Sequence, residues 1–222
     1  MMRDEIDLVI DYPAKIATAL LKDEIDIGLV PIAILPEMDK YYFVSDYCIG
    51  CNGDVASVCL FSEVPLQEIE TVLLDYQSRT SIALIKILMK EFWKINPEIK
   101  NTNDDFRNDI KANTAAVIIG DRALEQRKKS RYIYDLGAAW KEYTGLPFVF
   151  AAWISNKPMS DDFIKNFNRT NEFGLSNIDR IVQLKPYVYY DLKKYYTANI
   201  KFVLDLSMRE AITFFLKKMN TI

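Results

Sequence analysis

A chain of 222 residues, half of them apolar, can bury a sizeable core as one large domain or two small lobes and is too hydrophobic to stay disordered. With 28 Lys and Arg against 31 Asp and Glu the net charge is −3, and basic residues are scattered apart from Arg127, Lys128, Lys129 and Arg131, so a nucleic-acid partner gains no support. No apolar stretch approaches the roughly 20 residues that span a bilayer, and the charged opening Met1 to Asp7 has no signal-peptide core; no membrane partner and a cytoplasmic location are expected.

In chain order, Ile6 to Ile10 reads as a strand, Pro13 opens a helix through Leu21, and Ile25 to Val30 is a second strand, with Pro31 and Pro36 bracketing a short turn. Ser57 to Phe61 and Val72 to Leu74 are short apolar runs, and a long helix follows from Ser78, with Ile82, Leu84, Ile85, Leu88 and Met89 at helical spacing. Ala115 to Ile119 reads as a buried strand ending in Gly120-Asp121, where Asp121 is placed to cap the next helix. Phe148 to Ile154 is an aromatic strand. Helices are predicted over Asp161 to Phe173, Asn177 to about Tyr196 and Met208 to Met219, with Lys201 to Val203 extended. Strands alternating with amphipathic helices predict an α/β fold with largely parallel sheets. The two candidate crossing strands, SVCLFS and FVFAAWIS, enclose a self-contained run, which predicts an outer lobe of residues 1–56 and 153–222 and an inserted middle lobe of residues 57–152, with a ligand cleft between them.

The chain has no histidine, which excludes the imidazole base and every Ser-His or Cys-His nucleophile. Cys48 and Cys51 form a C-x-x-C, but with only Cys59 besides, a set of about four zinc ligands is not completed, and no metal or cofactor is expected. Three segments carry candidate chemistry. Leu74 to Ser81 puts hydroxyls and Arg79 at a helix start, where free amides favour a carboxylate or phosphate, although Ser78 or Thr80 could simply cap the helix. Gly50 to Val58 puts Ser57 after a glycine-bearing loop, facing either cleft or core, with a plain turn as the alternative. Phe148, Phe150 and Trp153 line either a flat ligand ring or the core.

Five blocks stand in a specific order: DIGLVPIAILPEM (Asp26 to Met38), CIGCNGDVASVCLFS (Cys48 to Ser62), LLDYQSRTSIALIKILM (Leu73 to Met89), AAVIIGDRAL (Ala115 to Leu124) and YDLGAAWKEYTGLPFVFAAWIS (Tyr134 to Ser155), with a matching tail at Tyr189 to Met219. Together they resemble the chorismate dehydratases of the futalosine route to menaquinone. The resemblance implies a two-lobed periplasmic-binding-protein-like type II fold and conversion of chorismate to 3-[(1-carboxyvinyl)oxy]benzoate with loss of water. In that family the substrate's own enolpyruvyl carboxylate is thought to act as base, so the protein holds a dianion in shape. By the same resemblance Ser57 is the catalytic contact. Ser78, Arg79, Thr80 and Ser81 bind the substrate carboxylates, and Gly120, Asp121 and Phe148 complete the cleft wall.

The family usually opens with a strand and an S-Y-x-N-x-x-P loop, and nothing before Asp4 corresponds to it. A start codon placed late is the expectation, ahead of a fragment or a degenerate protein, and a chain truly beginning at Met1 is expected to have low stability and weak or no activity. A sister enzyme of the same pathway relies on a histidine and is disfavoured. The other readings are a non-catalytic solute-binding-like protein for a small carboxylate, an inactive truncated dehydratase, and an α/β interaction protein without a ligand.

Overall fold

A computed structural model describes residue 2 and residues 4–222. Pro13 opens helix α1 (Pro13–Leu21), where its fixed φ suits the first turn. Strand β1 (Ile27–Pro31), a 3-10 turn over Ile32–Glu37 and the long strand β2 (Tyr42–Cys51) follow. Strands β3 (Val58–Ser62) and β4 (Thr71–Leu74) lead to α2 (Arg79–Ile87), which continues as a π-helical stretch over Leu88–Trp93. Next come β5 (Glu98–Asn101), β6 (Thr114–Ile119), α3 (Asp121–Gln126), β7 (Tyr132–Asp135), α4 (Leu136–Thr144) and β8 (Phe148–Ser155). The C-terminal part is mostly helical, with α5 (Asp161–Ser176), α6 (Ile178–Leu184) and the single turn α7 (Leu192–Lys194). A π-helical turn over Tyr195–Asn199, the short strand β9 (Lys201–Val203) and α8 (Leu206–Met219) complete it.

Two sheets result, one ordered β1-β8-β2-β9 and one ordered β5-β4-β6-β3-β7. Every pairing in the four-stranded sheet is antiparallel; in the five-stranded sheet β4 runs parallel to β5 and β6, while β3 runs against β6 and β7. The expected preponderance of parallel pairing is therefore corrected, and the cause is the way the chain passes between sheets. β8 enters between β1 and β2, and β3 between β6 and β7, each against its neighbours. Strands that share a direction are thereby separated, and hydrogen-bonded parallel pairs survive at β5-β4-β6, where α2 supplies a crossover. β8 is paired into the four-stranded sheet from Phe148, which faces Cys51, with Phe150 at a register shift.

One apolar cluster joins the two sheets, running from Leu20 and Ile34 through Leu84 and Ile85 of α2 to Leu60 and Val117. Trp140 of α4 is fully buried in it, edge-to-face with Phe148 at 5.2 Å and Phe215 at 5.9 Å. Its indole Nε1 donates to the Pro147 carbonyl at 3.0 Å, so this large side chain is buried without an orphaned polar atom.

Three expectations are corrected. Ile6 to Ile10 is not a strand: among the described residues no strand pairs with it, and Leu8 and Ile10 are 73% and 85% exposed, because β-branched residues make a strand only where a partner strand takes up the backbone groups. The helix expected from Asn177 to Tyr196 breaks after Leu184, since Pro186 holds Lys185 out of the α region at φ −130°, ψ 78°. Strands β2, β5 and β7 add to the predicted set. β2 carries Ser45, Asp46 and Gly50 and shifts register twice against β8, and β5 is exposed along its whole length, so neither shows clean apolar alternation.

Candidate functional site

The carboxyl ends of β4, β5 and β6 lie at one end of the five-stranded sheet, together with the start of β3, where Val58 faces Ile119. This is where α/β sheets commonly carry ligands. Ser57 immediately precedes β3 and is buried. Its amide donates to the Val55 carbonyl at 2.7 Å, its carbonyl accepts the Gly120 amide at 2.8 Å, and its Oγ lies 2.8 Å from the Tyr195 hydroxyl. Ser57 and the Gly120-Asp121 tip of α3 are therefore neighbours.

Ala56, just before Ser57, has φ +62°, a left-handed conformation that is strained for a residue with a Cβ. Asp135, the N-cap of α4, holds it there. One carboxylate oxygen accepts the amides of Val55, Gly137 and Ala138 at 3.0–3.1 Å, and the other accepts the Ala56 amide at 2.7 Å. Burial pushes the Asp135 carboxyl above its ordinary pKa, and the amide bonds pull the other way. Asp135→Asn keeps the oxygen with three donors and sets its NH2 against the Ala56 amide, donor against donor. The expected result is a loss of about 1–3 kcal/mol of unfolding free energy in urea titration; an unchanged midpoint contradicts the role of Asp135 in holding Ala56.

At the start of α2, Ser78 is the N-cap. Its Oγ accepts the Ser81 amide at 3.1 Å and donates to Ser81 Oγ at 2.8 Å. Thr80 Oγ1 accepts the Ala33 amide at 3.2 Å, tying the helix to the 3-10 turn. Ser78, Thr80 and Ser81 are all buried. The Arg79 guanidinium reaches outward to both Glu37 carboxylate oxygens at 3.2 Å and to Thr18 Oγ1 at 3.1 Å. The hydroxyls thus satisfy the protein's own groups, and Arg79 is paired with Glu37 rather than left free for an anion.

The readings of Asp121 as a cap and of Phe148 as cleft wall need correction. Gly120, at φ +66° and ψ −147°, is itself the N-cap of α3, so Asp121 is the first helical residue, where its carboxylate faces the helix dipole instead of capping by its side chain. Phe148 is core: it packs on Trp140, Phe150 and Phe215, because strand register turns its ring towards α4 and α8.

Sequence reasoning missed Asp75, Arg122, Asp135 and Tyr195. Asp75 is fully buried just past β4; it accepts the Gln77 amide at 3.0 Å, the Ile119 amide at 3.1 Å, and Arg122 Nη2 on both oxygens at 2.7 and 2.8 Å. It locks the end of β6 to the turn before α2. Its signal was an aspartate three residues before a helix-capping serine, the pattern of an Asx turn. The other side of Ser57 is tyrosine-rich. Burial pushes the Tyr195 hydroxyl up to about 12, partly opposed by its bond with Ser57, and burial likewise raises Tyr187, whose hydroxyl donates to the Asp121 carbonyl at 3.2 Å. Arg127 donates to the Ala56 carbonyl at 3.2 Å and lies over the Tyr190 ring. Beyond Tyr196 lies a hollow of about 370 Å³ lined by Asn52, Ile200, Lys201, Phe202 and Met208 among others. All three thiols are buried and pushed up, Cys48 to about 12, so none is a ready nucleophile at neutral pH. Among the described residues, no helix is long and apolar enough to cross a membrane.

The site can therefore offer the Ser57 hydroxyl and the amide-bearing ends of α2 and α3 to an anion, without an imidazole. Comparison with solved structures supports the periplasmic-binding-protein-like α/β fold. A protein from Archaeoglobus fulgidus superposes with a TM-score of 0.76 at 13% identity, over 98% of this chain and 86% of that one. An ABC transporter protein from Parabacteroides distasonis does so with a TM-score of 0.63 at 16% identity, over 96% and 81%. In sequence, the chain is 26% identical to the chorismate dehydratase of Thermus thermophilus over 87% of this chain and 79% of that protein. It is 31% identical to the chorismate dehydratase of Campylobacter jejuni over 71% of this chain and 58% of that protein. Residues 1–221 match the family described as menaquinone biosynthesis. On that match, together with the related dehydratases, the chain belongs to the menaquinone biosynthesis family.

Proposed function

We propose that this protein is a chorismate dehydratase, a hydro-lyase of the cytoplasmic futalosine route that removes water from chorismate to give 3-[(1-carboxyvinyl)oxy]benzoate. The ligand cleft lies between an outer lobe of residues 1–56 and 153–222 and a middle lobe of residues 57–152, the second boundary moving back to the start of β8 because that strand pairs from Phe148 into the outer lobe's sheet. In the reaction the C3–H bond breaks, its proton goes to the substrate's enolpyruvyl carboxylate, the C4–O bond breaks, and the ring becomes aromatic as the departing hydroxide takes that same proton from the carboxyl group and leaves as water. This elimination needs no protein imidazole, which suits a chain without histidine. The protein's task is to hold two carboxylates in a reactive shape and to place donors where charge develops.

The observation that carries this reading is the held geometry of Ser57: a buried hydroxyl after a strained residue, fixed by Gly120 on one side and Tyr195 on the other, at the carboxyl end of parallel strands. Ser57 donates to a substrate carboxylate, and the exposed Gly120-Asp121 tip forms the adjoining wall. Ser78, Thr80 and Ser81 contribute by building the tip of α2 and presenting its first amides, and Arg79, paired with Glu37, ties that tip to the 3-10 turn instead of binding substrate. Incubating the protein with chorismate and following ultraviolet absorbance with mass analysis tests the reading. An aromatic product lighter than chorismate by one water is expected; chorismate bound tightly but recovered unchanged supports a solute-binding-like protein instead.

A further inference from the structure

Ser57 has spent its backbone groups on Val55 and Gly120, and among the described residues its hydroxyl has one partner, the hydroxyl of Tyr195. Two hydroxyls carry two protons, and only one is used between them. The phenol is the stronger acid and hence the better donor, while the alkyl hydroxyl is the better acceptor. Donation from Tyr195 to Ser57 leaves the serine proton unspent and restricts its rotor to directions away from the tyrosine. We propose that Tyr195 is the positioning residue for Ser57, donating to its Oγ and so aiming the serine proton at a carboxylate of the bound substrate. The proposal rests on the dehydratase reading and deepens it, because nothing in the sequence blocks that carry the resemblance assigns a role to this tyrosine.

Two independent observations support it. Tyr195 opens a π-helical turn over Tyr195–Asn199, a rare form that is frequent at functional sites. The last residue of the same turn, Asn199, donates to the Asp54 carbonyl at 3.1 Å and accepts from the Tyr190 hydroxyl at 3.1 Å. One turn of the C-terminal segment therefore grips the loop before β3 at both Asp54 and Ser57, across 145 and 138 positions of sequence. Burial keeps the Tyr195 phenol protonated throughout the neutral range, as a constant donor must be. Its ring, 5.1 Å from that of Tyr196, stays packed when the hydroxyl is removed.

The test is a double-mutant cycle on Tyr195→Phe and Ser57→Ala, reading kcat/KM for chorismate and, by calorimetry, Kd for the product 3-[(1-carboxyvinyl)oxy]benzoate. Tyr195→Phe is expected to lower kcat/KM about ten- to a hundred-fold, with product affinity falling in the same direction. In the Ser57→Ala background the same change is expected to have less than about a twofold further effect on Kd, since the proton it aims is already gone. Unchanged kinetics in Tyr195→Phe, or an equal loss of affinity in both backgrounds, overturns the positioning role. A wild-type protein that leaves chorismate intact overturns the dehydratase reading itself, and the positioning role with it. An active wild type beside an unaffected Tyr195→Phe variant overturns only the latter.

Discussion

Replacing Asp75 with alanine is expected to cost about 3–5 kcal/mol of unfolding free energy, the range for removing one partner of a buried ion pair. Asp75 is fully buried, and the side chain of Arg122 is only 19% exposed. Arg122 Nη2 bonds both Asp75 oxygens, while Nη1 is buried without a partner among the described residues. Taking away the carboxylate leaves a guanidinium with little water and no counter-charge, and it strips the Gln77 and Ile119 amides of their acceptor. The Tyr76 ring, 5.4 Å from the guanidinium carbon, replaces only part of what is lost. Urea denaturation with matched m-values measures the effect, and a loss below about 1 kcal/mol would falsify this account of the pair. Asp75→Ala should also loosen the turn before α2, because the Gln77 amide donates to the Asp75 carboxylate there.

The second large effect is catalytic. Ser57→Ala is expected to reduce kcat/KM for chorismate by about a hundred- to a thousand-fold, comparable to deleting one donor of an oxyanion-type site. The stability loss should be smaller than for Asp75→Ala, about 1–3 kcal/mol, the cost of leaving the Tyr195 hydroxyl without its partner. The contrast with Asp75→Ala is informative: one variant is expected to fold and fail, the other to fail by unfolding. Kinetics of Ser57→Ala within about twofold of wild type, at full solubility, would remove Ser57 from the machinery.

The fold class could be read from the sequence because it depends on local signals. Pro13 at a helix start, the apolar run before Gly120 and the capping serine before α2 are short-range features, and each appears where the pattern puts it. Features that depend on distant pairing were harder to read. Ile6 to Ile10 has the composition of a strand but, among the described residues, no strand that pairs with it, and Phe148 faces the core because its register against Cys51 and its contact with Trp140 decide the side. Arg79 looks like an anion ligand until Glu37, 42 positions away, is seen to occupy it. Ser57 and Gly120 were singled out separately, and the fold joins them by one amide bond. Asp135 and Tyr195 gave no local sign of their roles. Their contacts with the Val55 to Ser57 segment cross 80 and 138 positions, and a carboxylate or a phenol at those separations looks like any other polar residue until the chain is folded.

The most direct test of the account is a crystal structure with 3-[(1-carboxyvinyl)oxy]benzoate bound. The predicted result is one carboxylate within about 2.6–3.2 Å of Ser57 Oγ, with Tyr195 still touching that oxygen and the Gly120-Asp121 tip beside the ligand. Density for the ligand in the hollow between Asn52 and Met208, with Ser57 touching nothing but Tyr195, would contradict it.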